Sequence, residues 1–242
     1  MSPKFSPDLS VVVPMHNESG NAATLVRDIA TACDAIPHEI IAIDDASTDA
    51  TLTELTALKA DIPQLRILSH ATNAGQSRAV RSGVLAARAP TIATLDGDGQ
   101  NPPENIPALY AHLQESGVAL VGGERQQRQD TKAKLLASRL GNGIRKRLLH
   151  DDANDTGCGL KVFSREAFLR LPYFDHIHRY LPALMLREGY DTAFLPVTHR
   201  AREHGVSKYT NLGRLKVSIA DLRGVRWLNS RARLPGEVRE IE

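Results

Sequence analysis

The chain has 242 residues, of which 42% are hydrophobic and 24% are charged, as in an ordinary globular protein with one large α/β domain. A net charge of +2 and an aromatic content of 5% argue against a nucleic-acid-binding module. Its two cysteines, Cys33 and Cys158, are too few for a disulfide framework, and we expect both to be unpaired thiols in a reducing compartment.

The sequence contains no pattern typical of membrane insertion. The first ten residues lack the basic-then-apolar order of a signal peptide, and no run reaches the ~18–20 apolar residues of a spanning helix. We therefore expect a cytoplasmic protein that, if it meets a membrane, lies on the surface as a peripheral protein.

The first 121 residues alternate between short apolar runs and helical patterns. The runs predict strands at residues 9–14, 39–43, 65–68, 91–95 and 118–121. Helices are predicted between them, beginning near Asn17, Ser47, Asn73 and Pro102. This alternation predicts an α/β fold with a mainly parallel sheet covered on both faces.

Two later segments combine basic side chains with an apolar stripe, at residues 132–149 and 213–231. Each is predicted to be an amphipathic helix that lies on a lipid surface or packs its stripe on the core; the second also carries Trp227. We expect the tail, residues 231–242, to be disordered.

Polar residues follow three of the predicted strands, and ligands of parallel sheets bind beyond the carboxyl ends of the strands. These residues would meet at one edge of the sheet: Asn17 and Glu18, Asp44 and Asp45, and Asp96 and Asp98. A purely structural protein has little reason to collect carboxylates at one edge, so a binding site is predicted there.

Asp96 and Asp98 are separated only by Gly97, which lets the backbone bend so that both carboxylates reach one hard cation. Mg²⁺ or Mn²⁺ held there would stabilise the negative charge of a departing nucleoside diphosphate, with Gln100 as a further oxygen ligand. The alternative is a simple Asp-Gly turn.

Asp44 and Asp45 have two interpretations. They are either acids placed before a helix N-terminus or contacts to the base or ribose of a nucleotide. In the second case Pro14, His16 and Glu18 would line the same nucleotide-sugar pocket.

Four motifs in register resemble those of family 2 glycosyltransferases over the first ~125 residues. They are Val12-Val13-Pro14-Met15-His16-Asn17-Glu18, Ile43-Asp44-Asp45-Ala46-Ser47-Thr48-Asp49, Asn73-Ala74-Gly75 and Leu95-Asp96-Gly97-Asp98-Gly99-Gln100. The resemblance implies a GT-A fold, a Rossmann-like nucleotide half fused to an acceptor half. It also implies Asp96 and Asp98 as metal ligands with Gln100 nearby, and Asp44 or Asp45 at the nucleoside.

The resemblance also implies how one domain, residues 1–230, is divided. Residues 1–125 would bind the nucleotide sugar and metal, residues 126–212 would bind the acceptor, and residues 213–230 would form the second amphipathic helix. The donor would be a GDP- or UDP-sugar.

The second half resembles the dolichol-phosphate mannose synthase branch and its bacterial polyprenyl-phosphate relatives. The matching segments are Gly122-Gly123-Glu124-Arg125, Ser138-Arg139-Leu140-Gly141-Asn142, Asp155-Thr156-Gly157-Cys158-Gly159-Leu160-Lys161 and Arg202-Glu203-His204-Gly205-Val206-Ser207-Lys208-Tyr209.

This branch implies that Arg125 and Arg139, with Ser138, contact the acceptor phosphate. It also implies that Arg202, Ser207 and Lys208 close over the donor phosphates. Asp98, Arg125 and Arg202 would be the catalytic residues. A guanidinium fork suits phosphate, although each arginine alone is equally typical of a solvated surface.

The sequence lacks the Glu-Asp dipeptide that supplies a general base in many family members. A phosphate monoester, with a second pKa of about 6, is already an anionic nucleophile at neutral pH and needs no base. This favours inverting transfer to a polyprenyl phosphate. The alternatives are a hydroxyl acceptor, with Asp151, Asp152 or Asp155 as base, and a non-catalytic sugar-nucleotide-binding subunit.

Many relatives in this branch continue into transmembrane helices. We expect this chain to reach its lipid through its own basic helices, through a separate membrane protein, or as a homo-oligomer.

Overall fold

The structure is a computed structural model that describes residues 6–126, 132–200, 211–236 and 239–240. Within these ranges the side chains of residues 132–140 and 211–216 are not described.

The described residues form one seven-stranded sheet. Its strands are β1 (Leu9–Met15), β2 (His38–Asp44), β3 (Leu65–Ser69), β4 (Thr91–Thr94), β5 (Leu120–Arg125), β6 (Lys161–Ser164) and β7 (Thr192–Val197). The spatial order is β3-β2-β1-β4-β6-β5-β7. β6 runs antiparallel to β4 and β5, whereas the other neighbours are parallel, so the predicted mainly parallel α/β sheet is confirmed.

Helices cover the sheet, joined in places by 3₁₀ turns at Leu58–Ala60, Pro103–Asn105 and Ile177–Arg179. The α-helices are α1 (Ala22–Ala32), α2 (Thr51–Ala57), α3 (Gln76–Ala86), α4 (Ile106–Ser116), α5 (Lys132–Leu149), α6 (Arg165–Arg170), α7 (Leu181–Arg187) and α8 (Asn211–Arg231).

The apolar run of β1 is buried on both faces of the sheet. Val11 and Val13 pack with Leu25 of α1 in one core cluster, whereas Val12 packs with Val84 of α3 in the other. Successive side chains of a strand point to opposite faces, so a central strand between two helical layers needs a continuous apolar run.

The first four predicted strands agree with the structure to within one residue at each end, and α3 is shorter than predicted. The prediction begins α3 at Asn73, but the helix starts at Gln76 because Gly75 adopts φ +84°. The loop that follows β3 therefore has its own geometry, which becomes important at the site.

Helices are present at both segments predicted to be amphipathic, but the apolar side chains of α8 are not gathered on one face, and contact of either helix with lipid stays a prediction. Val225 is buried in the core, while Val217, Ile219 and Trp227 are exposed. No helix among the described residues has both the length and the hydropathy that a bilayer span requires. Residues 232–236 lack regular secondary structure, and residues 237, 238, 241 and 242 of the expected disordered tail lie outside the described residues.

Candidate active site

The loops after β1 and β2 are fastened to each other at the carboxyl edge of the sheet. The Asn17 backbone N–H donates to Ser47 Oγ at 3.0 Å, and Asn17 Oδ1 accepts from the Thr48 N–H at 2.7 Å. Glu18 N–H donates to Thr51 Oγ1 at 2.8 Å. These bonds give a fixed wall to the pocket in which Pro14, His16 and Glu18 were predicted to meet a nucleotide.

Asp96 and Asp98 follow β4 against this wall, where their backbone passes close to β1. A Cβ placed on Gly97 would lie 2.8 Å from the carbonyl oxygen of Pro14, so this approach requires glycine. Asp98 Oδ1 accepts from the Gln100 N–H at 3.2 Å, which places Gln100 beside the pair. The structure therefore places Asp96 and Asp98 in one turn, and the role of the Gln100 side chain as a ligand stays a prediction.

The two carboxylates repel each other. Burial and the charge of Asp98 raise the pKa of Asp96 to about 6, while Lys161, Arg125 and Gln76 act in the opposite direction. A divalent cation between the carboxylates would relieve this repulsion.

Among the described residues, no group of three or more His, Cys, Asp or Glu side chains is arranged to hold a metal ion. Metal binding by Asp96 and Asp98 stays a prediction; it would be of the two-carboxylate type, in which an ion such as Mg²⁺ keeps positions for water and substrate phosphates.

Three residues from other elements surround the Asp96 carboxylate. Gln76 Nε2 donates to Asp96 Oδ1 at 2.6 Å. A Cβ on Gly159 would lie 2.4 Å from Asp96 Cγ, so this glycine is in close contact with the carboxylate. Lys161 is buried on β6 and donates from Nζ to the Cys158 carbonyl; burial lowers its pKa, partly offset by the charge of Asp96.

A cavity of about 20 Å³ lies beside Asp96, lined in part by Lys161 and His178. His178 Nδ1 lies 2.8 Å from Ser77 Oγ, and burial lowers the pKa of His178 well below its usual value. The histidine is therefore neutral at physiological pH. No motif in the sequence indicated a role for Ser77 or His178, whereas Gly159 and Lys161 lie within a segment that carried the resemblance.

Asp45 is buried and binds the turn that precedes α3. Asp45 Oδ1 accepts from the Ala74 N–H and Oδ2 from the Gly75 N–H, both at 2.8 Å, and His70 Nδ1 lies 2.7 Å from Oδ1. Burial raises the pKa of Asp45, but the bonds from Ala74, His70 and Gly75 outweigh it and leave the pKa below its usual value.

Asp44 is also buried and accepts hydrogen bonds from Ser47 N–H and Ser69 Oγ, both at 3.2 Å. Both aspartates therefore have protein partners, and their contact with a nucleoside stays a prediction.

Arg125, at the end of β5, forms a bidentate ion pair with Asp155. The Nε and NH2 atoms donate to the two carboxylate oxygens at 2.6 and 2.8 Å. Burial alone would lower the pKa of Arg125, but the hydrogen bonds and charge of Asp155 outweigh it, with smaller contributions from Cys158 and Asp96. The pKa therefore lies above its usual value. The charged guanidinium is thus held close enough to Asp96 for the two charges to interact.

The carboxylates considered as alternative general bases occupy different environments. Asp151 is buried in an ion pair with Arg145 at 2.5 Å, and Asp155 is paired with Arg125. Asp152 lies on the surface.

The remaining predicted contacts cannot be placed. Arg202, Ser207 and Lys208, and the side chains of Ser138 and Arg139, lie outside the described residues. Their phosphate contacts stay predictions.

Comparison with known proteins gives a consistent result. The family model "Glycosyl transferase family 2" matches residues 10–171. A dodecaprenyl-phosphate galacturonate synthase from Rhizobium johnstonii is 35% identical over 97% of this chain and 71% of the relative. An undecaprenyl-phosphate 4-deoxy-4-formamido-L-arabinose transferase from Edwardsiella ictaluri is 34% identical over 83% of this chain, and the match spans 62% of that relative's length.

Solved structures share the fold at low sequence identity. A glucosyl-3-phosphoglycerate synthase from Mycobacterium tuberculosis, in complex with Mn²⁺, UDP-glucose and phosphoglyceric acid, has a TM-score of 0.67 and 19% identity over 95% of this chain and 82% of its own. A mannosyltransferase from Pyrobaculum calidifontis with GDP-mannose and Mn²⁺ has a TM-score of 0.66 and 17% identity over 94% of this chain and 65% of its own. With the family model and the relatives in agreement, this chain belongs to glycosyltransferase family 2 and has the GT-A fold.

Proposed function

We propose that the protein transfers a sugar from a nucleotide-sugar donor to a polyprenyl phosphate, with inversion at the anomeric carbon and with a divalent metal. The observation that carries this proposal is the position of Arg125, whose charge acts on Asp96 beside the paired carboxylates. A cation for an anionic acceptor thus lies next to a metal site for the donor diphosphate.

The residues present fit a divalent ion. Asp96 and Asp98 repel each other. Gly97 lets the backbone between them pass close to Pro14, and Gly159 lies directly against the Asp96 carboxylate, so both acids are confined. Asp96, Asp98 and Gln100 would hold Mg²⁺ or Mn²⁺, which would neutralise the charge that develops on the departing nucleoside diphosphate. Structures that share the fold contain Mn²⁺ together with UDP-glucose or GDP-mannose.

The residues of the chain would position both substrates. Pro14, His16 and Glu18 line the edge where the nucleotide would lie, with Asp44 and Asp45 behind them, and Arg202 and Lys208 would close over the donor phosphates. Arg125 would orient the acceptor phosphate together with Ser138 and Arg139. Asp155 occupies the Nε and NH2 side of Arg125 and fixes its direction, so the acceptor phosphate would meet the remaining guanidinium N–H groups.

A phosphate acceptor agrees with the state of the nearby carboxylates. Asp151 and Asp155 are both engaged in ion pairs, which makes them poor general bases for a hydroxyl and leaves the exposed Asp152 as the remaining candidate base. An ionised phosphate monoester needs none. The relatives named above act on dodecaprenyl and undecaprenyl phosphate, so the acceptor class agrees with the site chemistry.

The exposed side of α8 is suited to a lipid surface. Val217, Ile219 and Trp227 are exposed there beside the exposed Arg223 and Arg226. These apolar side chains are spread around the helix and do not form one strip; together with the basic side chains they would add affinity for an anionic interface. We place the protein at the cytoplasmic face of the membrane, alone, with a membrane partner, or as a homo-oligomer.

The test is nucleotide release from a panel of GDP- and UDP-sugars with Mn²⁺ or Mg²⁺. Each donor is assayed with undecaprenyl phosphate and, as the matched control, with undecaprenol, which differs only in lacking the phosphate. We expect release from one donor with the phosphate lipid alone, and no release when EDTA is added.

Two results would count against the proposal. Equal turnover with undecaprenol would indicate a hydroxyl acceptor, and donor binding without turnover on any lipid would indicate a non-catalytic sugar-nucleotide-binding subunit.

A further inference from the structure

We propose that Gln76 is a positioning residue that orients the Asp96 carboxylate for metal binding, through a turn that Asp45 holds in place. The inference rests on the metal assignment in the proposed function and adds a residue that lies outside the metal-ligand set.

The first step is the direct contact. Gln76 is the first residue of α3, and its amide Nε2 donates to Asp96 Oδ1 at 2.6 Å. An amide donor that occupies one oxygen of a carboxylate fixes the torsion of that carboxylate and favours its ionised form. The other carboxylate oxygen is then presented in one direction.

The second step is that the donor itself is held. The residues before Gln76 form a turn whose two backbone N–H groups, of Ala74 and Gly75, both donate to Asp45 at 2.8 Å. Gly75 adopts φ +84°, a conformation that residues with a Cβ rarely adopt. The position of the Gln76 backbone is therefore determined by Asp45, which is buried at the end of β2.

The third step is that Asp96 is confined from another direction. Gly159 is so close that a Cβ there would lie 2.4 Å from Asp96 Oδ2 and 2.5 Å from Oδ1. The carboxylate thus has the Gln76 amide as a hydrogen-bond donor and the Gly159 backbone as a steric limit. Removal of a residue that hydrogen-bonds a metal ligand in this way typically weakens metal affinity about 10–100-fold.

A purely structural role for Gln76 predicts a different outcome. Gln76 lies on the surface in the first turn of α3, where a side chain contributes little to core packing. Its removal should therefore change the melting temperature little. If the residue orients Asp96, the change appears in metal affinity instead.

The experiment measures Mn²⁺ binding to the full chain, without donor or lipid, from the electron paramagnetic resonance signal of free Mn²⁺. The variant is Gln76→Met, which keeps side-chain length and helix propensity while removing the donor. The matched control is Gln114→Met on α4. It removes an amide that donates to Thr91 Oγ1 at 3.2 Å and makes no contact with Asp96 or Asp98. Thermal unfolding of each variant checks that it is folded.

We expect the Kd for Mn²⁺ to rise about 10–100-fold in Gln76→Met and to change less than about twofold in Gln114→Met. A second variant, Gln76→Glu, places a third carboxylate against Asp96. We expect it to melt at a lower temperature without metal and to gain more from added Mn²⁺ than the wild type does.

Unchanged Mn²⁺ affinity in Gln76→Met, with normal binding by the wild type, would overturn this inference and leave the metal assignment intact. Failure of the wild type itself to bind Mn²⁺ would overturn both. Loss of lipid-phosphate specificity in the transfer assay would affect only the proposed acceptor.

Discussion

Replacing Gly159 by alanine tests whether the placement of Asp96 decides activity. The added methyl carbon would start 2.4 Å from Asp96 Cγ, whereas non-bonded carbon atoms are most stable about 3.5–4.0 Å apart. The carboxylate must therefore retreat by about 1 Å. It can do so because it lies at a partly exposed edge, so the protein should still fold.

The size of the effect follows from that displacement. A misplacement of about 1 Å in a site that depends on positioning costs on the order of 100-fold in rate, or about 2.7 kcal/mol of transition-state stabilisation. The loss of stability should stay near about 1 kcal/mol, the low end for an overpacked site. For a chain of this size that is a fall of about 2–4 °C in melting temperature.

Gly83→Ala is the matched control because the same atom would collide with a rigid core. Its Cβ would lie 2.4 Å from Val12 Cγ1 and 2.8 Å from Ile43 Cδ1, both fully buried. We expect about 1–3 kcal/mol of destabilisation, reduced by the higher helix propensity of alanine, and normal kcat/KM in the folded fraction.

The assay combines nucleotide release, Mn²⁺ titration and thermal unfolding for both variants. The reasoning is refuted if Gly159→Ala keeps wild-type turnover and Mn²⁺ affinity, because Asp96 would then tolerate a displacement that the structure makes unavoidable. It is also refuted if Gly159→Ala unfolds while Gly83→Ala does not.

Three further predictions concern single carboxylates. Asp98→Asn should lower turnover at least about 100-fold with an unchanged melting temperature, since it removes a metal ligand at a partly exposed edge; turnover near the wild-type rate with Mn²⁺ would remove Asp98 from the metal site. Burial raises the pKa of Glu39, but hydrogen bonds from Ser10, Arg88 N–H and Arg66 outweigh it and leave the pKa below its usual value. The ionised Glu39 carboxylate therefore stabilises the fold fully above about pH 4.3, and this stabilisation is lost as the pH falls through the folded-state pKa. Glu39→Gln should cost about 1.5–3 kcal/mol of unfolding free energy at pH 7 and progressively less in acid. Urea unfolding across this pH range measures both. Asp151→Ala should cost about 3–5 kcal/mol because it leaves Arg145 charged, buried and without this partner, while kcat in the folded fraction stays normal; a selective loss of kcat would revive Asp151 as a general base.

The first four strands were predictable because buried strands need continuous apolar runs between turn residues. The fifth was predicted at residues 118–121 but spans Leu120–Arg125. β6 and β7 were not predicted. β7 (Thr192–Val197) is an apolar run, but it contains Pro196, a residue that argues against a sheet strand, and it is only partly buried. β6 is only four residues long and runs antiparallel between β4 and β5, so that Leu120 pairs with Phe163, 43 positions along the chain. Pairing at that separation depends on tertiary packing, which the periodicity of a single segment does not encode.

The site was predictable to the same extent. The Asp96 and Asp98 pair follows from strand order and spacing alone, because both residues come directly after one buried strand. The engagement of Asp45 does not follow, since it depends on two backbone N–H groups, of Ala74 and Gly75, that both point at its carboxylate in the turn before α3. The sequence shows which carboxylates reach the edge, and backbone geometry decides which of them remain available to a ligand.

Charge at this edge suggests why the acceptor and donor sites are built together. In the cluster around Asp96, leaving aside Glu18, Asp44 and Asp45 farther along the edge, Asp96, Asp98 and Asp155 face two cations, Arg125 and Lys161. This cluster contributes one net negative charge when all five groups are ionised. That charge opposes an incoming diphosphate, and a bound divalent ion reverses its sign. Asp155 therefore keeps Arg125 fixed in direction while limiting the positive charge around Asp96. On the proposed function, a diphosphate would then be attracted strongly only after the metal is in place.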